Sequence, residues 1–201
     1  MSDTCTTLYV TKIIEHTDEC SLRVINWLQD NKIIEKDRSK CLLGLEDYGY
    51  KPSTNYINVV KFDEHLLSLS VNGFQISQQK EVYNRNSFTT ATKVNCPKCD
   101  AKLFEESTEA DFYSESVSTE ILDIYYEVQD EFENWVNGTE AILICKECKK
   151  SSLIETYLFE PKISFSNLGL YFWNWPELKS EFISALEDKL GHNLKQSLER
   201  I

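Results

Sequence analysis

The chain has 201 residues, 41% hydrophobic, with 10 Phe, 10 Tyr and 4 Trp, which is ample for a packed core and excludes a disordered protein. A formal charge of -12 and a pI near 4.8 exclude the clustered Lys and Arg that bind phosphate backbones, so nucleic acid is not an expected partner. No apolar run approaches the roughly 20 residues of a membrane span, and MSDTCTTLYV has neither a basic n-region nor an apolar h-region, so the expectation is a cytoplasmic chain with no membrane contact.

Residues 8–15, LYVTKIIE, read as a first strand rich in β-branched side chains. Thr17 is a candidate N-cap for a helix over 18–30, with Leu22, Ile25, Trp27 and Leu28 as its apolar face. A charged EKDRSK stretch separates Ile33-Ile34 from Cys41-Leu42-Leu43-Gly44, and Gly49-Tyr50-Lys51-Pro52 reads as a turn because Pro52 pushes Lys51 out of helical dihedrals. A short helix is predicted over 55–67. Asn72-Gly73 signals a turn, and FQISQQKEVY after it alternates like an exposed strand.

From here the charge becomes uneven. Between Lys102 and Lys146 lie 12 acidic residues and no Lys or Arg, and outside that interval 21 acids balance 21 bases. Within it, Ile121, Ile124, Tyr125, Val128, Phe132 and Trp135 recur at three- and four-residue steps, which predicts a helix over 119–137 closed by Gly138. Glu120, Asp123, Glu127, Asp130, Glu131 and Glu133 occupy its other side. No base is available at i+4, so like charges oppose one another at roughly a few tenths of a kcal/mol per pair. AILIC, SSLIETYLFEP and LGLYFWNW then read as strands, LKSEFISALEDKL (178–190) as a last amphipathic helix capped by Gly191, and LKQSLERI as a returning edge strand.

Two CxxC pairs, Cys96-Pro97-Lys98-Cys99 and Cys145-Lys146-Glu147-Cys148, enclose the acidic interval. Two residues between thiolates let a tight knuckle aim both sulfurs at one metal, and two knuckles complete a tetrahedral site. The expectation is a zinc ribbon with structural Zn2+ on Cys96, Cys99, Cys145 and Cys148, carrying residues 103–144 as an inserted, largely helical segment. A redox dithiol needs one CxxC at a helix N-terminus, and the predicted strands do not provide that. Four protein ligands leave no open coordination position for catalysis. Of the remaining cysteines, Cys5, Cys20 and Cys41 read as core residues before nucleophiles, with His16, His65 and His192 as the only candidate bases. No GxSxG, HExxH or phosphate loop is present, so the chain does not read as an enzyme.

The fold class expected is α+β: a mixed or antiparallel sheet with flanking helices and a four-cysteine zinc ribbon. Its parts would be an N-terminal α/β portion (1–91), the ribbon with its acidic insertion (92–158), and a C-terminal strand–helix (159–201) packing on the first. The aromatic run Tyr171-Phe172-Trp173-Asn174-Trp175-Pro176 suits a strand packed on both sides, with Tyr171, Trp173 and Trp175 alternating against Phe172 and Asn174.

INWLQDNKII, KCLLGLEDYGYKPS, VNGFQIS, CPKC, CKEC and NLGLYFWNWPELKSEFISALEDKLGH together resemble an uncharacterised bacterial zinc-ribbon family with paired CxxC and a C-terminal FWNWP motif. Members are sometimes labelled sugar-transporter ATPases, a label this chain contradicts because it has no phosphate loop. The resemblance implies a zinc ribbon and no particular activity. The chain departs from it at Ser53, where Gly is usual, and in its long acidic insertion.

Three functional expectations follow. The first is a non-enzymatic inhibitor, an immunity protein that docks an acidic and aromatic surface over the active site of a basic toxin or effector domain. Glu120, Asp123, Glu127, Asp130 and Glu131 would supply charge, with Tyr126 and Trp135 as anchors. The alternative is a zinc-ribbon adaptor that binds a transcription or translation complex through Lys146, Lys149 and Lys150. An enzyme built on Cys41 or a histidine, with the aromatic strand as pocket wall, is a third reading. A solvated acidic face that only aids solubility is the plain counterpart of the first.

Overall fold

Both ends of the chain contribute to one antiparallel sheet. The computed structural model describes residues 3–43, 48–62, 68–89, 92–103 and 119–200, so Gly44, His65, Phe112, Tyr113 and most of the 103–118 stretch lie outside the described residues. The described residues form an α+β protein with three α-helices and antiparallel sheets. They divide into two compact units, residues 1–79 with 166–201, and residues 80–165. The sequence reading put the boundaries at 91 and 158. Residues 80–91 belong to the second unit because β5 (Glu81–Tyr83) pairs with β10 (Ser164–Ser166) and Phe88 sits in that unit's core.

The first unit holds a six-stranded sheet in the order β12-β1-β11-β4-β3-β2. Its members are β1 (Thr4–Val10), β2 (Ile34–Lys40), β3 (Tyr48–Pro52), β4 (Phe74–Ser77), β11 (Gly169–Trp173) and β12 (Leu194–Arg200). β1 therefore takes both of its neighbours from the end of the chain. Helices α1 (Thr17–Asp30) and α3 (Ser180–Leu190) share one core with the sheet, in which Val24, Leu28, Phe182 and Leu186 meet Leu8, Val10, Phe74, Leu170 and Phe172. Trp27 stacks on Phe182 with ring centroids 6.0 Å apart, fastening the two helices together.

Several local expectations are corrected. His16, in the left-handed region, occupies the N-cap position, and Thr17 is the first helical residue. Leu22 lies 60% exposed, while Val24, on the opposite side of the helix, faces the core. EKDRSK is not a separator: it forms most of β2, an edge strand that tolerates charge on both faces. Tyr48–Pro52 is β3 and not a turn, with Pro52 at its end, where no ladder donor is lost. The predicted 55–67 helix reduces, among described residues, to one 3-10 turn at Tyr56–Asn58. Asn72-Gly73 closes no two-residue hairpin. Gly73 is required by crowding, since a Cβ there would lie 2.5 Å from Cys41 Sγ and 2.7 Å from Leu42 Cδ2.

The second unit packs helix α2 (Thr119–Val136) over three two-stranded sheets, β5–β10, β6–β9 and β7–β8. Strand bounds are β6 Lys93–Asn95, β7 Ile142–Ile144, β8 Ser151–Leu153 and β9 Leu158–Glu160. The stripe expected from sequence is the stripe buried: Ile124, Val128, Phe132 and Trp135 meet Phe88, Leu143, Ile154, Phe159 and Phe165. Phe132 is fully enclosed by aromatic rings, among them Phe88 and Phe165 in edge-on contact at 5.2 and 5.7 Å.

Candidate metal centre

The two CxxC segments fold into matching knuckles. After β6, the Cys96 amide donates to the Ala101 carbonyl (2.8 Å) and the Asp100 amide donates to the Cys96 carbonyl (2.9 Å). After β7, the Cys145 amide donates to Lys150 (3.1 Å) and the Lys149 amide donates to Cys145 (2.9 Å). Each knuckle ends on a left-handed residue, Asp100 at φ 61° and Lys149 at φ 58°. That turn tightens the chain enough for the first and fourth residues to aim their sulfurs the same way.

The knuckles are separated in sequence by the acidic insertion but meet in space. All four sulfurs lie within 4.8 Å of one another. Cys96 Sγ is 3.9 Å from Cys148 Sγ, and Cys99 Sγ is 3.7 Å from Cys145 Sγ. Cys96 and Cys145 are buried, Cys148 is half-buried and Cys99 faces outward. The four could hold a metal ion in a closed, all-sulfur site.

Backbone donors favour negative sulfur here. The Lys98 amide lies 3.4 Å from Cys96 Sγ. The amide of Cys148, then that of Glu147 against some burial, brings the Cys145 thiol down to about 7. Cys99 goes the other way. Its largest influence, the Ala101 amide, favours the thiolate, but desolvation and hydrogen bonds to the other three sulfurs push it up to about 12. Sulfurs this close repel one another when ionised. A bound dication removes that conflict.

Sequence reasoning missed Tyr157, which braces this cluster. Its hydroxyl donates to the Leu143 carbonyl at 3.1 Å. Burial first, and then the charges of Cys96, Cys145, Cys148 and Glu127, hold it up at about 12. Nothing in SSLIETYLFEP marks Tyr157 as different from any strand aromatic; only the meeting of the two knuckles gives it a role.

The proposed partner residues separate into three groups. Trp135 is corrected outright: it is 3% exposed, packed edge-on against Phe165 at 5.2 Å, and it has the Lys80 ammonium over its ring. It is core, because the apolar stripe runs through it. Glu120 and Glu131, with Glu133 beside them on the helix, are engaged within the unit. Glu120 pairs with Lys146 at 3.0 Å, Glu131 accepts from the Ile142 amide at 2.8 Å, and Glu133 pairs with Arg85. Asp123, Glu127 and Asp130 are exposed at i, i+4 and i+7, with no ion pair among the described residues. Tyr126 stands among them, 56% exposed.

The other cysteines and aromatics take up core positions. Cys5, Cys20 and Cys41 are buried. In the FWNWP run, Asn174 adopts φ 55° and breaks the expected alternation, so Trp175 joins Phe172 in the core while Tyr171, Trp173 and Asn174 stay half-exposed. Two clefts of the first unit, about 310 and 330 Å3, are lined by Trp27, Asn31, Asn58 and Lys179 in one and by Lys12 and His192 in the other, and neither contains a cysteine. Comparison with protein-family models, curated proteins and solved structures finds no match to this chain.

Proposed function

We propose that this chain is a zinc-stapled, non-enzymatic binding protein that inhibits a basic protein partner, in the manner of a cytoplasmic immunity protein guarding against a toxin or effector domain. The zinc assignment rests on the sulfur spacing. A tetrahedron with metal–sulfur bonds of about 2.3 Å has edges of about 3.8 Å, against 3.9 Å for Cys96–Cys148 and 3.7 Å for Cys99–Cys145 here. Zinc on Cys96, Cys99, Cys145 and Cys148 would make the zinc ribbon of the family that the sequence resembles. Its four ligands would fix the base on which α2 lies, and Lewis acidity would be confined to holding the thiolates.

The observation that carries the binding role is the outward row Asp123, Glu127 and Asp130 with Tyr126. Three uncompensated carboxylates raise the helix's own energy, and an aromatic left more than half exposed forgoes burial. A cationic partner reverses both costs, with steered association and a desolvated ring at the centre. Carboxylates in this row would stand where an anionic substrate enters the partner's active site.

The test uses the intact protein and the variant Asp123→Lys with Glu127→Lys as parallel baits in native lysate. A partner retained by the first and lost by the second, with affinity reduced about tenfold or more, is the expected result. Equal retention by both baits would remove the helix from the account. The adaptor reading draws on a different face: Ile144 and Leu153 are exposed on the β7–β8 ribbon beside Lys149 and Lys150. Co-purification of a polymerase or ribosome, lost on Ile144→Asp and kept on Asp123→Lys, would favour it.

A further inference from the structure

The six-stranded sheet ends on two unlike edges. β2 is defended: its register against β3 shifts between Ile34 and Arg38, and Glu35, Lys36, Asp37 and Arg38 are exposed in succession. β12 carries no such interruption. Leu194 to Arg200 pair with β1 residue for residue, without a shift and without proline. Among the described residues no other strand adjoins β12, which leaves alternate backbone N–H and C=O groups on its outer side open to pairing.

The order of side chains along β12 identifies what would fit there. Lys195, Ser197 and Glu199 lie on one face of the strand, and Gln196, Leu198 and Arg200 on the other. A second β12 laid antiparallel, with Ser197 opposite its own equivalent, sets Lys195 against Glu199 twice by symmetry. The same register places Gln196 against Leu198 and makes the two Leu198 side chains, each 60% exposed, diagonal neighbours. A slip of one residue sets Lys195 against Arg200 and turns a side chain to the wrong face, so the register is specified. Within its own sheet Lys195 lies opposite Tyr9 and Glu199 opposite Cys5, so neither charge is matched there.

We propose that β12 is a homodimerisation edge, through which two copies of this chain join their sheets by antiparallel pairing centred on Ser197. The occupant is a second copy because the strand is complementary to itself in charge, an isologous arrangement closed by one two-fold axis. The contact is small beside the roughly 1,200 Å2 of a standard interface, so the dimer is weak and depends on concentration.

Sedimentation equilibrium of the full chain at low ionic strength, from about 10 μM to about 1 mM, reads the association directly. Mass is expected to climb from monomer towards dimer over that range. Lys195→Glu alone and Glu199→Lys alone should each weaken the dimer about tenfold, and the double exchange should restore it to within about threefold of the starting affinity. Circular dichroism confirms that these exposed substitutions leave the fold intact. A monomer at every concentration overturns the proposal. So does a dimer indifferent to either single reversal, or one that the double exchange fails to rescue.

Discussion

Asn174 shows how one side chain can decide the path of a whole segment. Its Oδ1 accepts from the Thr4 amide at 2.7 Å, while its Nδ2 donates to the Val71 carbonyl at 2.9 Å and to Asp3 at 2.7 Å. The same residue tolerates the left-handed backbone that delivers Trp175 to the core. Aspartate keeps the shape and the acceptor but loses both donated bonds and places a second carboxylate beside Asp3. Asn174→Asp is therefore expected to lower stability by about 2–3 kcal/mol, read as a reduced urea midpoint with an unchanged slope. Asn174→Gly should cost less, because it relieves the backbone and adds no charge.

At the scale of elements, α2 sets binding against stability. Asp123, Glu127 and Glu131 repel at i, i+4 spacing, and Glu127 and Asp130 repel at i, i+3. The reversal Asp123→Lys with Glu127→Lys, which should weaken the partner, should raise the protein's own stability by a few tenths of a kcal/mol up to about 1 kcal/mol. Thermal melts at low salt measure it, and the gain should shrink as salt is added. This helix was also the most legible element in the sequence, because its apolar period is regular and its end is marked by Gly138, which takes φ 77°. The terminal helix and the returning tail strand were legible for the same reasons. β2 and β3 were not. Charge at an edge and proline at a strand end are tertiary matters, decided by which neighbour is absent, and no local period records that. The knuckles could be read from spacing alone, whereas Lys146, Arg85 and Lys80 could not be assigned to α2 until the chain was folded. Trp135 belonged to both candidate faces in the sequence, and packing chose the inner one.

Across the whole molecule, each unit has its own hydrophobic core, and only one is tied by the cysteines. Removing the metal with a strong chelator is expected to lower the melting transition of residues 80–165 far more than that of the sheet unit, giving two separated steps in place of one. Cys96→Ser should reproduce this without chelator, and the metal bound per chain should fall with it. Protons compete for the same sulfurs. Below about pH 7 even Cys145 must shed a proton to bind, so metal affinity should fall more steeply with acidification there than above it. The sheet unit carries a different liability, set by the order of its strands. β1 finds neighbours only in β11 and β12, after more than 150 further residues have been added. β1 thus has nowhere to dock until those residues have left the ribosome. In the meantime Leu8 and Val10 are exposed to solvent, which makes the nascent chain a natural client for chaperones and a premature stop anywhere before Gly169 a recipe for aggregation.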